Sequence, residues 1–144
     1  KMYFFALFMH LLCAIFFIGY VFFDAIIYPF SKKSIDEKTY KSVKKAYTKG
    51  SGVVFGVIFL VLLISGIWLG SHYIGISKGF FNSNLQIFLS LKILTIIFMC
   101  VITFISVYFV AILKKPDPFG KFSHLIALVL CIIIVFFAKA MWHL

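Results

Sequence analysis

Arginine is absent from the 144 residues: all fourteen basic side chains are lysines, opposed by only four acids, Asp24, Asp36, Glu37 and Asp117. The net charge of +10 therefore speaks less of nucleic acid than of membrane topology, where lysine loops mark one face of a bilayer. Charge of either sign is scarce, at 12% of residues against 64% hydrophobic and a mean hydropathy of +1.14, which excludes a water-soluble domain. The cysteines, Cys13, Cys100 and Cys131, show no CxxC spacing and each sits inside an apolar run. They imply no disulfide framework and read as small core residues, with soft metal ligation as the alternative. No small-residue cleavage site closes the first apolar run, so it reads as a retained span and not a signal peptide.

What is present is apolar length. Four segments, about Tyr3 to Tyr28, Val53 to Tyr73, Leu85 to Leu113 and Phe122 to His143, each reach the roughly 20 residues that a bilayer requires. The expected fold is all-α, a single-domain integral-membrane four-helix bundle spanning 1–144. Seven lysines (Lys32, Lys33, Lys38, Lys41, Lys44, Lys45, Lys49) fall in the loop 30–52, and Lys114, Lys115 and Lys121 fall between spans three and four. The positive-inside rule makes both loops cytoplasmic and places both termini, with the loop near Ser71 to Asn84, on the periplasmic side. The preference for lysine, isoleucine and phenylalanine suggests a low-GC bacterium, and hence a bacterial cytoplasmic membrane.

Along the chain, His10, Cys13, Phe17, Tyr20 and Asp24 follow at alternating steps of three and four, one helical stripe that must face protein because an imidazole in hydrocarbon needs a partner. Pro29 predicts the end of helix one at Tyr28. Ser34 and Glu37 have capping-box spacing for a short basic helix, with Tyr40, Val43 and Tyr47 on one face. That helix is expected to lie on anionic lipid headgroups or to extend helix two. Gly50-Ser51-Gly52 predicts a break before helix two, whose Gly52/Gly56 and Gly66/Gly70 pairs allow close approach of a helix or a flat cofactor. Gly79 to Asn82 reads as an interfacial turn. Thr95, Thr103 and Ser106 in helix three are expected to bond their own preceding carbonyls. Lys114-Lys115-Pro116-Asp117-Pro118 reads as a stiff inner turn, and His124 as an interfacial histidine.

Counted from the cytoplasmic boundary of each span, His10 stands about nineteen residues above Pro29, His72 about twenty above Gly52 and His143 about twenty-one above Phe122, so all three are expected near 28 to 32 Å. Lys92 and Lys139 bracket that level at roughly 33 and 25 Å. All four acids belong to the other half of the molecule. Three imidazoles and two lysines without an acid describe a site for an anion that also takes nitrogen ligands. Haem b fits, with imidazoles on the iron and lysines on the propionates. A copper ion held by His10, His72 and His143, near Met9 or Met141, is the alternative. A third reading, an accessory subunit of a larger membrane complex, gives the polar stripe a packing role only.

At these residues the chain resembles the four-helix membrane superfamily that includes HemJ-type protoporphyrinogen oxidases and CopD-type copper resistance membrane proteins. The phrases are HLLCAIFFIGYVFF in helix one, KAYTKGSGVVFGVIFLVLLISGIWL into helix two, LSLKILTII in helix three and FFAKAMWHL in helix four. The resemblance implies that His10 is a haem ligand and that Lys92 and Lys139 are functional polar residues. The chain departs from the HemJ pattern where Asp24 stands in the region of a helix-one arginine, and where Ser123-His124-Leu125 replaces an Asn-Glu-x-Pro-like start to helix four.

Overall fold

A computed structural model describes residues 1–113 and 123–144. The expected turn at Lys114 to Pro118, with Lys121 and Phe122, lies outside the described residues. Among those described, four helices are long and apolar enough to cross a membrane, as the four hydrophobic runs predict. The chain divides into two compact units, Lys1–His72 and Tyr73–Leu144, each a pair of packed helices.

In the first unit, α1 (Met2–Phe22) gives way to a π-helical turn, Phe23–Ile27, and then to a 3₁₀ segment, Tyr28–Lys33. The chain thus stays helical past Pro29, where an end at Tyr28 was expected. Proline lacks an N–H, and its ring collides with the carbonyl four residues back, here that of Ala25. The helix answers by widening just before the ring: the Tyr28 N–H reaches the Phe23 carbonyl, a π-type bond. The 3₁₀ segment then carries Pro29 in its first turn, where an N–H is not needed.

α2 (Glu37–Gly70) is one helix of 34 residues. It begins after an extended Asp36, not at Ser34, which closes the 3₁₀ segment instead. The Thr39 hydroxyl donates to the Asp36 carboxylate and holds that carboxyl below its usual range. Gly50-Ser51-Gly52 does not break α2. In a long helix each glycine costs only about 1 kcal/mol, and the contacts on either side outweigh it. The basic segment is therefore the extension of helix two, and a rigid one.

α1 and α2 pack antiparallel in a register that their polar pairs record: Asp24 meets Tyr47, Tyr20 meets Ser51 (2.9 Å) and His10 meets Ser65 (2.8 Å). Phe17 against Phe59 (5.3 Å between ring centroids) and Tyr20 stacked on Phe55 (4.2 Å) fill the space between. The expected stripe of α1 is thus the face that meets α2. Most other apolar side chains of the hairpin are exposed, as suits a helix pair solvated by lipid, where packing and interhelical bonds set the register.

In the second unit, α3 (Asn84–Val107) runs into a π-helical turn, Tyr108–Ile112, and α4 covers Ser123–His143. Asn84 Nδ2 donates to the Leu144 carbonyl (2.9 Å), and Phe88 faces Phe137 (6.2 Å), so these helices are also antiparallel. Ser83 caps α3 by accepting from the Gln86 N–H (3.2 Å). The turn before it is built around Gly79, whose φ of +82° suits glycine. Buried Gln86 clamps this loop: its Oε1 accepts from the Asn82 N–H (2.8 Å), and its Nε2 donates to the carbonyls of Tyr73 and Lys78 (2.9 Å each). Ser90 adds a bond to the Phe80 carbonyl (2.9 Å), and Thr95 bonds the Leu91 carbonyl (2.9 Å), as expected of a hydroxyl in a span.

Candidate functional site

His10 sits half-buried in the face of α1 that meets α2. Its Nδ1 lies 2.8 Å from Ser65 Oγ, and that oxygen lies 2.7 Å from the Val61 carbonyl and 3.2 Å from that of Leu62. The hydroxyl has one proton. Two oxygens at 2.7 Å repel unless a proton lies between them, so the hydroxyl donates to Val61 and accepts from the imidazole. A neutral His10 is then the Nδ1–H tautomer, with the lone pair on Nε2. This is the state in which histidines bind metals, oriented by a bond from the other nitrogen.

Gly66 completes the setting. A Cβ there would come within 3.1 Å of His10 Cε1 and 3.7 Å of Nδ1, so a larger residue would press the ring aside by a few tenths of an ångström. Of the four glycines expected to allow close approach of a helix or a flat cofactor, only Gly66 has a neighbour, the His10 ring; a Cβ on Gly52, Gly56 or Gly70 would meet nothing within 4 Å among the described residues. Ser65, the residue that orients that ring, was overlooked in the sequence. Its signal was available: it is the only hydroxyl between Val53 and Gly70.

His72 is elsewhere. It lies past the end of α2, exposed, with Nδ1 3.0 Å from the Trp68 carbonyl and its ring edge-on to Tyr3 (5.3 Å) and Trp68 (4.6 Å). Since α1 meets α2 at His10/Ser65 and again at Tyr3/His72, the two histidines are seven residues, or about 10 Å, apart along the hairpin. Their equal heights assumed a floor at Gly52. The continuous α2 has no floor there, and the pairs His10/Ser65 and Tyr3/His72 put His72 above His10 instead.

The second unit holds the other three candidates. Lys92 is half-buried on α3, one turn beyond Phe88, while exposed Lys139 and His143 lie on the opposite side of the Phe88/Phe137 layer. By helical rise Lys139 is about 9 Å nearer the 73–83 loop than Lys92, the reverse of the expected order, and His143 is about 6 Å further still. Trp142, beside His143, packs edge-on against Tyr73 (5.4 Å). Among the described residues no three His, Cys, Asp or Glu side chains come together as a metal centre, and the three cysteines are free.

The other end of the first hairpin carries a polar cluster. Asp24, only 2% exposed within the π-helical turn, accepts from the Tyr47 hydroxyl (2.5 Å) and has Lys44 Nζ at 3.9 Å. Around it, Tyr28 donates to the Tyr40 carbonyl (2.6 Å) and stacks on the Tyr40 ring (4.6 Å). Asp24 thus does answer a lysine of the basic segment. Tyr47, its hydrogen-bond donor, is the member that sequence reasoning placed on a helix face without seeing its partner.

No protein-family model, no curated protein and no solved structure matches the chain.

Proposed function

We propose that this multi-pass membrane protein binds b-type haem through His10. The observation that carries the reading is the Val61–Ser65–His10 hydrogen-bond relay, which fixes the orientation and tautomer of an imidazole inside an apolar helix pair. Gly66 supports it by leaving room for the imidazole. The donor chemistry fits haem better than a bare copper ion, because haem would bring most of its iron's nitrogen ligands itself and ask of the protein little more than an oriented imidazole such as His10. When bound, haem would supply one-electron chemistry. The chain's own part is to hold one imidazole in one tautomer and to exclude water with the Phe17 and Phe59 layer. The resemblance to the HemJ and CopD superfamily, carried by short phrases, points the same way. We place the protein in a bacterial cytoplasmic membrane with the lysine segment inside, following the lysine asymmetry.

The test is a reduced-minus-oxidised spectrum of protein purified after expression with adequate haem. A Soret band lost in His10→Ala, and haem affinity reduced about 10- to 100-fold in Ser65→Ala, are the expected results. Single replacements of His72, His143, Lys92 and Lys139 rank the remaining candidates by the same spectrum. Lack of a Soret band in the parent protein refutes the reading. Stoichiometric copper without haem, lost in His10→Ala, would select the copper alternative.

A further inference from the structure

We propose that the His10–Ser65 pair suits the site to reversible one-electron transfer, with a neutral axial imidazole and no anionic push on the iron; the inference rests on the haem reading above. The decisive atom is Ser65 Oγ. Its one proton is spent on the Val61 carbonyl at 2.7 Å, so toward His10 Nδ1, at 2.8 Å, it can only accept. A hydroxyl that has already donated carries no charge and takes no proton from the ring. His10 therefore keeps its Nδ1 proton and ligates as a neutral imidazole.

The hydrogen-bond partner of a ligating histidine tunes the metal through the ring. A carboxylate in the place of Ser65 would draw the Nδ1 proton toward itself, leave the imidazole more anionic and favour ferric over ferrous iron. Electron push of that kind also favours breaking an O–O bond, as thiolate ligation does. The first acid along this hairpin, Asp24, stands fourteen residues from His10, about 21 Å by helical rise, and accepts from Tyr47 instead. Gly66 flanks the Cε1 edge of the ring, so the bond to Ser65 is made in a packed position. Between the two oxidation states one electron passes to or from a one-electron carrier. No bond is made or broken, and no proton leaves His10.

Two measurements on the full chain in detergent micelles provide the test. Without haem, imidazole ¹⁵N shifts are expected to show His10 protonated at Nδ1, a preference kept in Ser65→Thr and lost in Ser65→Ala. With haem bound, Ser65→Asp is expected to lower the midpoint potential by about 59 mV, a tenfold shift of the ferric-to-ferrous ratio, while Ser65→Thr shifts that ratio less than about threefold. A ring protonated at Nε2 in the haem-free parent overturns the proposal whatever the variants bind. Equal potentials in the parent and Ser65→Asp overturn it with haem binding intact. A missing Soret band in the parent refutes the haem reading itself, and this inference with it.

Discussion

Tyr47→Phe removes one oxygen from the first hairpin and leaves the buried Asp24 carboxylate short of a donor. Ordinary interhelical hydrogen bonds in membrane proteins contribute about 0.6 kcal/mol, because the separated helices find other partners in lipid. A bond to a buried charge contributes more, about 1.5 to 3 kcal/mol. Asp24 is 2% exposed, so water cannot replace the lost hydroxyl, and we expect Tyr47→Phe to cost about 1.5 to 2.5 kcal/mol. Asp24→Asn keeps an acceptor for Tyr47 but removes both the charge on that bond and the pairing with Lys44, the latter worth less than about 1 kcal/mol at 3.9 Å and 41% side-chain exposure, so it should cost about 1 to 2 kcal/mol. Tyr20→Phe, which breaks a neutral bond to Ser51 in the same interface, serves as the reference and should cost about 0.6 kcal/mol. Equilibrium unfolding in mixed micelles, followed by far-ultraviolet circular dichroism, gives all three values. A double-mutant cycle of Tyr47→Phe with Asp24→Ala should show a coupling of about 1 to 2 kcal/mol. If Tyr47→Phe costs no more than Tyr20→Phe, or the coupling falls below about 0.3 kcal/mol, the charge-assisted bond does not hold this hairpin together.

Two other perturbations probe separate parts of the chain. Gly66→Ala gains up to about 1 kcal/mol of helix propensity but must push the His10 ring aside by a few tenths of an ångström. Stability should change by less than about 1 kcal/mol, while the imidazole ¹⁵N shifts report loss of the Ser65 bond; unchanged shifts would refute the contact. Gln86→Leu removes three bonds that hold the 73–83 loop, at about 1 kcal/mol each. Amide exchange of Gly75 to Asn82 should accelerate about 100-fold with α4 unaffected, and uniform acceleration across the unit would show that the loop is not an independent element.

Four helices long and apolar enough to cross a membrane, and the face of α1 that meets α2, were legible because both rest on periodicity and length. The His10 stripe could be read from steps of three and four alone. What failed was the placement of boundaries. Pro29 and Gly50 to Gly52 are strong local punctuation, yet each was outweighed by context: a π turn for the proline, and contacts on both sides for the glycines. That error passed straight into the site, since the height of His72 was counted from a break that does not exist. Ser65 and Tyr47, the residues that orient His10 and Asp24, escaped notice because each is one polar group whose meaning depends on a partner some 20 to 55 positions away.

The π turn between Phe23 and Ile27 can also be regarded as α-helix with one residue too many. Elsewhere in α1, deleting a residue would rotate everything on one side of the cut by about 100° and carry half of the polar stripe out of the interface. Between Ala25 and Ile27 the same deletion only draws the wide turn tight, leaving Asp24 and His10 in phase with α2. It also brings the Pro29 ring back against a carbonyl. The surplus residue and the proline are therefore a matched pair, each harmful alone and harmless together, and a chain of this fold can lose both in concert where it could not lose either.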